Sequence, residues 1–153
     1  MAIDPTAKKH NVRMSVKKFL SDELETVKGK SVFFDLGFTL PAVDDLTNWF
    51  SVVFGPMHRA GLAEFTFDLI VATRKDPEGD QLAAMADIGF DVLTDSTQVD
   101  GKRRIPFYDV VGETWTQMGA LIVSDVMDSG EMEGPDKTKY QQLTSRVRWV
   151  AKA

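Results

Sequence analysis

The 153-residue chain contains no cysteine. That absence removes disulfide frameworks, thiolate nucleophiles, zinc ribbons and iron–sulfur clusters together, and it fits a reducing cytoplasm. Histidine is nearly as scarce: only His10, in a charged N-terminal arm, and His58, beside Gly55-Pro56, are present. A catalytic triad needs a histidine within reach of Ser or Thr, and two loop histidines are a thin basis for one. The competing reading of His58 is an ordinary solvated or interface side chain. Neither G-x-x-x-x-G-K-[ST] nor G-x-G-x-x-G occurs, so phosphate-cradling chemistry has no foothold. Long apolar runs are missing too. Residues 1–20 interleave Lys8, Lys9, His10, Arg13, Lys17 and Lys18 with isolated apolar residues, unlike a signal-peptide core, and no later stretch has the run a membrane span requires. The expectation is a soluble chain, neither exported by that route nor embedded in a membrane.

What is present is ordinary globular composition, 43% hydrophobic and 27% charged, which allows one core to be buried without staples. No repeat, low-complexity tract or linker divides the sequence, so a single domain over residues 1–153 is expected. The net charge of -5 opposes tight nucleic-acid binding, which draws its affinity from Lys and Arg on phosphates. A mildly acidic wall beside passing DNA stays compatible with that charge.

Along the chain, Val12, Val16, Phe19, Leu20, Leu24 and Val27 recur at three- and four-residue spacing and predict an amphipathic helix over residues 11–28. Asn11 is its candidate N-cap and Lys28-Gly29 its stop. Residues 31–34 and 49–54 read as strands joined by a loop, the second ended by Gly55-Pro56. Residues 63–73 alternate apolar and polar side chains, the clearest strand in the chain. Arg74-Lys75-Asp76-Pro77-Glu78-Gly79 then reads as a helix entry, with Asp76 capping and Pro77 in the first position. That helix carries its apolar spacing to Asp95. Residues 104–110, 114–127 and 138–151 are strands, and the acidic, glycine-containing stretch 128–136 is expected as a flexible arm or loop. The order predicts an α+β fold: a mostly antiparallel β-sheet with two α-helices packed on one face.

Three features invite chemistry and yield little. The stretch 125–130 faintly resembles a calcium loop, but Met127 stands where an oxygen ligand is needed, so a solvated loop is preferred. Asp44-Asp45 are adjacent and would point apart, which favours capping or solvation over paired acid–base work. Trp49, Trp115 and Trp149 fall in expected strands without clustered cations, so packing is favoured over base stacking. No catalytic, cofactor or metal residue is therefore nominated. The last two strands are long for so small a domain. Gln117, Ser124, Lys139, Gln141, Gln142, Thr144, Arg146 and Arg148 alternate there with apolar residues, leaving edges for partners.

Taken together, the helix over 12–28, the 49–54 strand followed by Gly55-Pro56-Met57, the 65–73 strand, the Arg74-to-Gly79 turn into a helix and the closing strand 143–150 resemble the tail terminators of long-tailed bacteriophages. The resemblance implies a structural virion protein without enzymatic activity or cofactor, assembled in the host cytoplasm. It further implies a homohexameric ring that caps the tail tube and joins tail to head. Its partners would be itself, the tail tube protein, a head-completion or neck protein, and DNA passing through the lumen without specific binding. The family supplies no strict interface motif. Candidate interface positions come instead from expected loops and strand ends: Met57, His58 and Arg59, and Met127, Asp128, Glu131, Met132 and Glu133. Another neck component, a connector or stopper, fits the same composition, and a small α+β ligand-binding domain or enzyme is the remaining alternative.

Overall fold

The computed structural model describes residues 3–34, 36–42, 46–134 and 137–150. Helix α1 spans Lys9–Leu20 and runs on into a wider π-helical stretch, Ser21–Val27. Val12, Val16, Phe19, Leu20 and Leu24 all face the core, as their spacing requires. Two expectations fail at the ends. The helix starts two residues before Asn11, because a 3₁₀ turn at Pro5–Ala7, capped by Asp4, already delivers the chain into it. Val27 is 64% exposed, since hydrogen bonds that reach five residues instead of four rotate it off the buried stripe. Lys28-Gly29 does end the helix, with Gly29 at φ +67.

Helix α2 spans Asp80–Leu93 and starts after Gly79, which sits at φ +77, so Pro77 lies in the preceding turn and not in the first helical position. Asp76 nevertheless holds the entry. Its carboxylate accepts from the Leu82 amide at 2.8 Å, the Gln81 amide at 3.2 Å and the Thr73 hydroxyl at 3.0 Å. Burial pushes this carboxyl up, but those donors and the charge of Lys139 more than offset it, so its pKa lies below the ordinary 3.8.

Six strands form one sheet: β1 (Val32–Phe33), β2 (Asn48–His58), β3 (Leu62–Thr73), β4 (Arg104–Val111), β5 (Thr114–Glu133) and β6 (Lys139–Val150). Their order across the sheet is β1-β2-β3-β6-β5-β4, and every pairing is antiparallel except β1 with β2. The fold is therefore α+β, with a mostly antiparallel sheet and both helices contributing to one buried cluster on one face. That cluster includes Phe50, Phe65, Phe67, Leu69, Leu121 and Val147.

The sheet corrects three sequence expectations. The chain between β1 and β2 is more than a loop: Leu36, Leu40 and Leu46 pack across the opposite face against Trp49, Ile70, Ala72 and Tyr140. A parallel pair needs a crossover of this kind. Asp44 and Asp45, within that segment, lie outside the described residues. Strand β2 does not stop at Gly55-Pro56; it continues to His58 through a bulge between Phe54 and Met57. Proline is tolerated there because no strand pairs beyond Ser51 on the outer side of β2 among the described residues. Finally, the arm expected over 128–136 is strand as far as Glu133: Asp128 pairs Leu143 and Glu133 pairs Lys139, with a bulge between Asp128 and Glu131. Residues 135 and 136 lie outside the described residues.

Candidate interface surfaces

An edge strand carries a row of backbone groups without a ladder partner. The two edges of this sheet treat that problem differently. At β4, helix α1 lies alongside, and its polar side chains take the place of a neighbouring strand. Ser15 Oγ accepts from the Tyr108 amide at 2.9 Å and Asn11 Oδ1 from the Val110 amide at 3.0 Å. Asn11 also donates from Nδ2 to Pro5 O at 2.9 Å and to Asp109 Oδ1 at 3.1 Å. Both side chains are fully buried. Their role is thus to close an edge, which no local sequence rule distinguishes from the capping role expected of Asn11.

At β2 no strand covers the edge beyond Ser51 among the described residues. Gly55 sits in the bulge with its Cα so near Thr66 that a Cβ would stand 2.8 Å from the Thr66 carbonyl oxygen. Met57 and His58 follow on the same strand, half-buried and exposed respectively, and Arg59 donates from Nε to Ala7 O at 3.1 Å, tying the strand end to the 3₁₀ turn.

The second expected group occupies the far half of β5. Met127 is 66% exposed on the face opposite the helices, Asp128 accepts from Gln141 Nε2 at 2.6 Å, and Glu131 pairs Lys139 at 2.8 Å. Met132 stands across from Tyr140, and Glu133 across from Lys139. The register fixes where the two groups lie. Met57 pairs Phe65, which pairs Val147, whereas residues 128–133 pair 139–143. The groups therefore sit at opposite ends of the strands and do not form one site. A third projection went unread as a surface: the β4–β5 hairpin tip, where Val111 is 65% exposed and Trp115 packs its edge on Tyr108. Of the other tryptophans, Trp49 and Trp149 are buried, as packing residues are.

A concavity of about 730 Å³ lies between α1 and the β1–β2 edge. Lys9, Arg13 and Lys17 recur every fourth residue and share one stripe of the helix. Phe34 and Phe54 form its floor, ring planes 7° apart and centroids 6.3 Å apart. The Arg13 guanidinium lies 4.7 Å from the Phe54 centroid and the Lys17 ammonium 5.1 Å from that of Phe34. Such contacts orient a cation without neutralising it. Among the described residues no carboxylate pairs with any of the three. Lys18 faces elsewhere and pairs Asp22 at 2.7 Å; that hydrogen bond is the main reason its pKa is raised.

The two histidines lie on different elements, His10 on α1 and His58 on β2. Among the described residues no three His, Asp or Glu side chains converge on a metal position. The 125–130 stretch is strand and bulge. No helix among the described residues is long and apolar enough to cross a membrane.

No family model and no curated protein matches the sequence. Solved structures do. One aligns over 95% of this chain and 99% of its own at a TM-score of 0.59, with 12% identity. A likeness at that identity establishes a shared fold over essentially the whole chain and nothing about activity.

Proposed function

We propose that this chain is a structural subunit of a bacteriophage neck, a tail terminator that assembles into a homohexameric ring on the end of the tail tube. The observation that supports the reading best is the position of its unsatisfied surface. At one end of the strands lie the β2 edge, without a neighbouring strand among the described residues, and the exposed His58 beside half-buried Met57; at the other lie the exposed apolar side chains Met127 and Met132. A ring subunit stacked between two different partners needs a contact surface at each axial end and another toward its neighbours. One end would meet the tail tube protein and the other a head-completion protein.

The reading assigns no catalysis, cofactor or metal, and DNA would pass through the lumen without specific binding. A net charge of -5 suits such a wall, because few cations are free to displace counterions from phosphate. Mixing the purified protein with tail tubes and, separately, with filled capsids tests the proposal by co-sedimentation. Saturable binding to tube ends is expected. Binding to capsids alone would assign the chain to a connector or stopper, and binding to neither overturns the reading.

A further inference from the structure

We propose that neighbouring copies meet through their helices, the cationic cleft beside α1 of one copy receiving the acidic outer face of α2 of the next. This rests on the ring reading above and specifies the contact between its subunits.

The cleft is a surface built for an anionic occupant. Three cations without an ion pair among the described residues are spaced along about 12 Å of helix, and two of them, Arg13 and Lys17, lie over the near-parallel rings of Phe54 and Phe34. Duplex DNA is the less suitable occupant, since three cations on a molecule of charge -5 offer few phosphate contacts. A matching surface exists on the same chain. Along α2 the exposed residues are Asp80, Gln81, Ala83, Ala84, Asp87, Phe90 and Asp91. Asp80 and Asp87 make no ion pair among the described residues, while Asp91 is held by Lys28 at 3.2 Å. Asp87 and Phe90 line a second hollow of about 360 Å³, whose opposite wall includes Val126 and Asp128. Phe90 is 49% exposed there, a large apolar side chain standing among acids.

The two faces thus correspond in three respects. Lys9, Arg13 and Lys17 oppose Asp80, Asp87 and Asp128 in charge. The spacing of Asp80 and Asp87, about 10 Å along the axis, is close to that of the cations. The small side chains Ala83 and Ala84 let a second helix approach. Because the faces differ, the contact is head-to-tail, and head-to-tail contacts repeat around an axis until they close.

The test uses the full chain and two charge reversals, Arg13→Glu and Asp87→Lys, with particle mass read by light scattering and folding by circular dichroism. Each variant alone is expected to need at least tenfold more protein than wild type to assemble. An equimolar mixture of the two is expected to recover wild-type assembly, since each then supplies a face that complements the other. Should Arg13→Glu fold poorly, Lys9→Glu/Lys17→Glu replaces it in the mixture. Wild-type rings that tolerate both reversals, or singles that fail and do not rescue one another, overturn the helix contact and leave the ring reading standing. Wild-type protein that never assembles, with or without tail tubes, overturns both. Loss of binding to a 20-base-pair duplex in the cleft variants, with assembly intact, assigns the cleft to DNA and also overturns the contact.

Discussion

The two edges of the sheet are solved in opposite ways. Along β4 the unpaired amides are taken up by buried Asn11 and Ser15 of α1, so that edge belongs to the fold. Along β2 the strand runs on past β1 through the Gly55-Pro56 bulge, and among the described residues no strand covers that edge. The closed edge rests on buried hydrogen bonds that stability depends on, whereas an exposed open-edge residue such as His58 is held by few contacts of the fold.

Breaking the closed edge should have the largest effect. Asn11→Ala leaves the Val110 amide without an acceptor in the interior and is expected to cost about 2–3 kcal/mol, read as a lower urea midpoint at unchanged slope. A loss below about 0.5 kcal/mol, the range of a plain surface change, would mean that α1 does not close this edge. At the open edge, Gly55→Ala drives a Cβ onto the Thr66 carbonyl and should cost about 2 kcal/mol by straining the bulge. Unchanged stability there would show that the bulge relaxes freely.

Away from both edges, Asp76→Ala should cost about 1 kcal/mol by freeing the first turn of α2. Its pH dependence has a definite sign. The folded carboxyl titrates below its unfolded value of 3.8, so its contribution is present above about pH 4 and is lost as pH falls through the folded pKa. The stability gap between wild type and Asp76→Ala should therefore shrink in acid, measured by thermal unfolding at stepped pH. A gap that widens in acid contradicts the assignment. Smallest of all in stability is His58→Ser, expected within about 0.5 kcal/mol of wild type while weakening assembly on tail tubes. Equal assembly would remove His58 from the interface.

Much of this architecture was legible in periodicity. The 3.6-residue spacing of Val12 to Leu24 and the two-residue alternation of Ala63 to Thr73 each report local geometry, and both elements stand where expected. What escaped depends on contacts distant in sequence. Asn11 reads as a cap because Val110 is 99 residues away, and Gly55-Pro56 reads as a stop because nothing local reveals an edge strand. The stretch 128–133 reads as a loop by its glycine and acids, yet pairing with β6 overrides that composition. Among surface residues, the basic run was visible, but only the fold separates Lys18, paired with Asp22, from the stripe over Phe34 and Phe54.

The central claim, a ring-forming neck subunit with an open β2 edge, is tested most directly by cryo-electron microscopy of tail tubes incubated with the purified protein. The account predicts a closed six-fold ring of this chain capping one tube end. Tubes with bare ends beside protein that remains monomeric would contradict it.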